Sequence, residues 1–211
     1  MLLLCLLIVA AEPAPKDLLY ALGALLGQRL QPYHLKPAEL ARVRKGFADA
    51  ATGAKLELDD LEEWGPRVDA FMARRLAPSL AAEKDRGKAF LDKAAREPGA
   101  IRSASGLVLR VLTPGSGASP AAGDRVRVNY QGRLADGSIF DDSARHGGPM
   151  EVALGSVIAC WSEGLQLMKV GEKARLHCPS TLGYGDEGRP PQVAGGAALA
   201  FDVELIEIIK K

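Results

Sequence analysis

The apolar positions of this chain change period once, near Ser103–Gly106. Upstream of that point the spacing is helical. Leu18, Leu22, Leu25, Leu26 and Leu30 recur every three or four residues, and Pro32 ends the run. Pro37 stands at the first turn of a second helix, which carries Leu40, Val43 and Phe47 on one face and Gly53 just past its end. Asp59 or Asp60 caps a third helix bearing Leu61, Trp64, Val68, Phe71 and Met72, and Gly65-Pro66 and Pro78 are expected to bend or interrupt it. From Ser79 to Lys88 the pattern is polar and charged. Phe90, Leu91 and Ala94 then restore an apolar face, and Glu97-Pro98-Gly99 stops the helix.

Downstream the period is two. Leu107, Leu109 and Val111 alternate, and residues 113–120 form a turn-rich loop. Val126, Val128 and Tyr130 alternate with Arg125, Arg127 and Asn129, which makes one strand face apolar and the other wet. Asp136-Gly137 is a hairpin signal. Ala174, Leu176 and Cys178 alternate, as do Leu199, Phe201, Val203 and Leu205. Between these runs Trp161, Leu165 and Met168 fall on one face of a single short helix ending near Gly171. The pattern predicts an α+β chain: an all-α region over 12–104 with a long linking helix, then a domain over 105–211 in which a curved antiparallel sheet wraps around one short helix.

Length and charge narrow the function. The 211 residues have room for one large or two small domains, and 27 Lys+Arg against 26 Asp+Glu leave no basic excess for nucleic acid. His34, His146 and His177 are scattered and there is no CxxC, so neither a metal nor another cofactor is expected. Residues 2–11, LLLCLLIVAA, are too few to span a bilayer, which needs about 20. With Val9-Ala10-Ala11 ahead of Glu12-Pro13 they read as an export signal over 1–11, although no Lys or Arg precedes them; the alternative is a buried N-terminal helix segment. Cleavage leaves Cys160 and Cys178. An oxidising compartment would permit them to pair, but their apolar contexts favour two buried free thiols.

The candidate chemistry lies after residue 105. Tyr130, Phe140, Val157, Ile158, Trp161, Tyr184 and Phe201 sit beside few acids, bases or nucleophiles, a set suited to binding an apolar ring rather than cleaving a bond. The segments VRVNYQGRLADGSIFDDS, VIACWSEGLQLMKVGEKARLHCPSTLGYG and ALAFDVELIEI resemble the FKBP-type peptidyl-prolyl cis-trans isomerases. That resemblance implies a proline pocket with Trp161 as floor and Tyr130, Phe140 and Phe201 as walls, and with Met150 where an aromatic wall is usual. It implies that Ile158, of the Val157-Ile158 pair, donates its N–H to a substrate carbonyl. It also implies that the Tyr184 hydroxyl donates to peptide or to a macrolide inhibitor, and that Asp141 at the pocket edge polarises the rotating amide.

The chain departs from the family at Cys160, where glycine is common, and at His146, which replaces a basic partner of the aspartate and ties that pairing to pH. Ala194-Gly195 in the segment 189–196 is expected to make that loop more mobile. Glu163 and Glu172 read as solvated charges, and Arg133 and Arg145 take no role.

ALGALLGQRL and KAFLDKAAREPGAIRSASGLVLRVL are similar to the N-terminal region of macrophage infectivity potentiator-type enzymes. This implies a homodimer through the N-terminal helices and a periplasmic, outer-membrane-associated or secreted location. A helical region below about 80 residues rarely holds itself together with one core, which argues the same way; the alternative is a monomeric helical cap on the downstream domain. The expected activity is Xaa-Pro isomerisation in unfolded or flexible proline-containing polypeptides, assisting the folding of exported proteins without covalent catalysis. A non-catalytic peptide-binding chaperone is the other reading.

Overall fold

The computed structural model describes residues 16–209, so the export-signal segment 1–11 lies outside the described residues. Backbone contacts divide the chain into two compact units, residues 1–56 and residues 57–211.

The first unit holds helix α1 (Lys16–Gln28), one 3-10 turn at Gln31–Tyr33 and helix α2 (Pro37–Thr52). Proline opens α2 where its missing N–H costs nothing. The Lys36 N–H donates to the Glu39 carboxylate at 2.7 Å, and Gly53 closes the helix at φ 70°. No residue of either helix is buried within the chain. Leu18 is 62% exposed and Phe47 60%.

The second unit begins with α3 (Leu61–Ala94), whose N-cap Asp60 accepts the Glu62 N–H at 2.9 Å. Of the bend or interruption expected at Pro66 and Pro78, the interruption does not occur, and the helix is continuous through both. Each proline removes only one N–H from a helix of 34 residues, and the C-terminal third is held by packing, with Gly87, Leu91 and Ala94 buried. The helix meets the sheet through Phe90, whose ring stands edge-on to His177 at 5.2 Å.

The sheet comprises β1 (Ala100–Arg102), β2 (Val108–Thr113), β3 (Arg125–Leu134), β4 (Ile139–Asp142), β5 (Met150–Ala153), β6 (Lys173–Cys178) and β7 (Leu199–Ile209). All pairings are antiparallel. The order is β1-β2-β6-β7-β3-β4, with β5 also on β3. Its spine is the β3–β7 ladder, from Arg125 opposite Ile209 to Leu134 opposite Leu199. The expected core positions of β3, β6 and β7 are all buried: Val126, Val128, Tyr130, Ala174, Leu176, Cys178, Leu199, Phe201, Val203 and Leu205; alternation lapses at His177 and Ala200, which are buried as well. In β2 it fails at one end. Val111 is exposed, whereas Val108 is buried along with Leu107 and Leu109, because Val108 lies opposite His177, under the strand surface that Phe90 covers.

Helix α4 (Ala159–Leu167) lies on the other face of the sheet and buries Cys160, Trp161, Gly164 and Leu165 in the common core. Here Cys160 and Cys178 form a disulfide, with Cα atoms 5.7 Å apart, in place of the free thiols expected. The inward faces of α4 and β6 bring the two within bridging range, which spacing along the chain does not reveal. Glu172 also departs from expectation: it is buried rather than solvated. The loop before β3 lies over it, fastened by the Gly117 N–H to the Val170 carbonyl and the Val170 N–H to the Ala118 carbonyl, each at 3.0 Å.

Candidate active site

Four rings from four elements form a continuous edge-to-face series. Tyr130 of β3 meets Trp161 of α4 at 4.9 Å between centroids, Trp161 meets Phe201 of β7 at 5.4 Å, and Phe201 meets Phe140 of β4 at 5.6 Å. Interplanar angles of 79–84° place ring edges against ring faces, the favoured arrangement for aromatic quadrupoles. Gly132 permits the last contact. It lies opposite both Phe201 and Asp141 in the ladders, and a Cβ there would stand 2.8 Å from the Phe140 ring and 3.0 Å from the Phe201 ring. Trp161 and Phe201 are buried. Phe140, Met150, Val157, Ile158 and Tyr184 are half-buried and pack against the same core.

Ile158 is the N-cap of α4. Its carbonyl accepts the Trp161 and Ser162 N–H groups at 2.9 and 3.1 Å, so the helix start orients the tryptophan beside it. Its own N–H takes part in no hydrogen bond among the described residues. The Trp161 Nε1 is buried and likewise has no acceptor among the described residues.

A polar edge borders the rings. The Tyr130 hydroxyl donates to Asp141 Oδ2 at 3.0 Å. Asp141 Oδ1 pairs with His146 Nε2 at 2.9 Å and accepts the Asp142 N–H at 3.0 Å. Arg189 stands 4.0 Å from Asp141 Oδ2, 3.5 Å from the Tyr184 hydroxyl and 5.9 Å from the centre of the Tyr184 ring. Beneath this edge the Tyr130 N–H donates to the buried Ser143 hydroxyl at 3.1 Å, and Gln131 donates to the Asp142 carboxylate at 2.7 Å.

These contacts set the ionisation of the site. Partial burial pushes the Asp141 carboxyl up, but hydrogen bonds from His146, Tyr130 and the Asp142 N–H outweigh it and hold the group below its ordinary value. Burial, and then the bond to Asp141, pushes the Tyr130 phenol above its ordinary value. At neutral pH the edge therefore carries an ionised carboxylate with both oxygens engaged and a neutral phenol. It offers no activated nucleophile.

A family model described as FKBP-type peptidyl-prolyl cis-trans isomerase matches residues 117–206, and one described as the domain amino-terminal to FKBP-type peptidyl-prolyl isomerase matches residues 15–111. The chain belongs to the FKBP-type peptidyl-prolyl cis-trans isomerase family. This FKBP-type chain is 38% identical over 196 residues to the FKBP-type 22 kDa peptidyl-prolyl cis-trans isomerase of Escherichia coli K12, covering 90% of this chain and 93% of that one. It is 42% identical over 199 residues to the probable FKBP-type isomerase FkpA of Neisseria meningitidis, covering 90% of this chain and 72% of that one. The crystal structure of FkpA from Escherichia coli superposes with a TM-score of 0.66 at 32% identity, covering 94% of this chain and 98% of that one.

In this FKBP-type chain Tyr130, Trp161 and Phe201 belong to the buried core, Phe140, Met150, Val157, Ile158 and Tyr184 pack against that core, and Asp141 is bonded to Tyr130. Sequence reasoning passed over Ser143, Gly132 and Arg189. Ser143 follows the Asp141-Asp142 pair directly, but nothing in its type announces a buried acceptor for a strand N–H. In the segment 189–196 the Gly196 N–H donates to the Gly185 carbonyl at 2.8 Å, and just ahead of the segment Lys84 of α3 reaches the Asp186 carboxylate at 2.7 Å.

Proposed function

We propose that this peptidyl-prolyl cis-trans isomerase acts by enclosing a proline ring against Trp161, Tyr130, Phe140 and Phe201, with no covalent intermediate. The rotation it must accelerate has a barrier of about 18–20 kcal/mol, and a thousandfold acceleration needs about 4 kcal/mol removed. Twisting the amide reduces the charge separation between oxygen and nitrogen, so an apolar enclosure disfavours the planar form more than the twisted one. The Ile158 N–H and the Tyr184 hydroxyl supply the polar contacts that hold the peptide. Met150 and Val157 complete the apolar rim. Asp141 acts mainly by fixing Tyr130, since both its oxygens are engaged within the protein. The observation that carries this reading is the unbroken edge-to-face series from Tyr130 to Phe140, with no activated nucleophile beside it.

The substrates are proline-containing unfolded or flexible polypeptides, and the chain assists exported proteins outside the bacterial cytoplasm. The buried Cys160–Cys178 bond supports that location, because such bonds persist in oxidising compartments. The N-terminal helices pair two copies. A groove of about 740 Å³ lined by Leu26, Leu30, Leu40, Val43 and Phe47, on helices with no buried residue, supports this pairing.

Exchange NMR on a short Leu-Pro peptide tests the reading. Catalytic amounts of the purified chain are expected to accelerate cis–trans exchange, and a macrolide FKBP inhibitor to abolish the acceleration. A folded chain that leaves the exchange rate unchanged refutes the catalytic assignment.

A further inference from the structure

Arg189 stands over the Tyr184 ring, 5.9 Å from its centre, and its root is fixed. Its N–H donates to the Val193 carbonyl at 2.8 Å, and its carbonyl accepts the Val193 N–H at 3.0 Å, closing an isolated two-bond bridge around Pro190, Pro191 and Gln192. Val193 is buried in the main core, so the bridge is anchored there rather than afloat on a loop. Gly188 precedes it at φ 67°, its N–H donates to the Tyr184 carbonyl at 3.0 Å, and a Cβ there would meet the Val193 carbonyl oxygen at 2.5 Å. The backbone thus delivers Arg189 beside Tyr184 by a turn that admits no side chain at the preceding position.

The guanidinium itself is under-committed. It has five N–H donors. Its contacts are a bond to the Tyr184 hydroxyl at 3.5 Å, an ion pair with Asp141 at 4.0 Å and a distant approach to the Tyr184 ring, and its side chain is 59% exposed. Asp141 already has a closer hydrogen-bond partner in His146 and a phenol donor in Tyr130, so both its oxygens are engaged without Arg189. A structural counter-ion would sit closer and drier. A planar fork with free donors, held at a fixed point on the rim, is suited to a carboxylate arriving from outside.

We propose that Arg189 is a specificity-determining residue that recognises an acidic side chain on the residue adjoining the substrate proline. This rests on the proline pocket described above and adds a charge preference to it. Solvent exposure limits the size of the effect to about three- to tenfold in selectivity, and added salt weakens it.

The test uses the full chain and four peptides that differ only at the residue before proline: leucine, glutamine, glutamate and lysine. A second set carries the same four residues after proline. Exchange NMR reads the isomerisation rate without a coupling protease, and chemical-shift titration of the same peptides reads binding independently of turnover. The wild-type chain is expected to favour glutamate over glutamine about three- to tenfold in one set, with the ratio shrinking between low and high salt. Arg189→Gln is expected to bring that ratio near one, and Arg189→Glu to transfer the preference to lysine. If wild type binds glutamate and glutamine peptides equally in both sets, the proposal is wrong. A uniform loss across all peptides in Arg189→Gln, with the ratio intact, also overturns it and makes Arg189 a support for Tyr184. Failure of the isomerase reading looks different: the leucine peptide shows no rate enhancement, while the titration still decides the charge preference.

Discussion

Removing the Cys160–Cys178 disulfide offers the most direct check on how Trp161 and the start of α4 are secured in the core. The bond joins the first turn of α4, next to Trp161, to the last residue of β6 across a sequence separation of 18. Closing a loop of that length in the unfolded chain is worth about 3 kcal/mol by chain entropy. Both sulfurs lie in the core, where the two residues are fully buried, so reduction leaves thiols that still pack as small apolar groups. The entropy term should therefore dominate. For a cooperative unit spanning residues 57–211, about 3 kcal/mol corresponds to a fall in Tm of about 6–12 °C. Calorimetry would compare a chain lacking residues 1–11, which removes Cys5, in oxidised form and after reduction and refolding. Cys160→Ala/Cys178→Ala should melt at or below the reduced form. Equal Tm values for oxidised and reduced protein would refute the reasoning, as would two alkylatable thiols in protein recovered from an oxidising compartment.

Tyr130→Phe deletes the donor to the Asp141 carboxylate; hydrogen bonds to charged groups contribute about 1.5–3 kcal/mol, and urea titration should show a loss in that range together with a lower kcat/KM. Trp161→Ala should cost about 3–5 kcal/mol, since it empties a ring site shared by Tyr130 and Phe201; a loss under 1 kcal/mol would place the indole outside the core. Burial, only partly countered by Glu97, pushes the His177 imidazole below its ordinary value of 6.5, with Arg175 and Arg110 acting in the same direction. The unfolded chain then binds the proton first, so this contribution to stability is complete above about pH 6.5 and is lost as pH falls below it. His177→Phe should flatten that part of the stability–pH curve, and an unchanged curve would dismiss the histidine. Residues 57–211 alone should be monomeric by light scattering, active on short peptides and slower on a proline-limited refolding protein, because one pocket loses the raised local concentration that a dimer supplies. A full-length chain that is monomeric at micromolar concentration would remove the basis for the last comparison.

What the amino-acid order determined by itself was local. Alternation in Val126-Val128-Tyr130 and in Leu199-Phe201-Val203-Leu205 marked the core face of β3 and β7, because the pleat turns successive side chains to opposite sides whatever lies beyond the strand. Pro37, Gly53 and Asp60 marked helix ends for a similar reason, since capping is settled within one turn. The candidate site residues were legible as a set because their types and order resemble a family. Their meeting was not. Phe140 reaches Phe201 only across the bare backbone of Gly132, and Asp141 collects Tyr130, His146 and Arg189 from three separate segments. Cys160 and Cys178 became a bond because α4 crosses β6, and Glu172 became buried because a loop fastens over it. Helix α3 continues through two prolines because packing of its far end outweighs two lost hydrogen bonds. Each of these outcomes depends on groups distant in sequence approaching within a few ångströms, and that approach is decided by the summed packing of the sheet, α3 and α4 rather than by any residue's own preference.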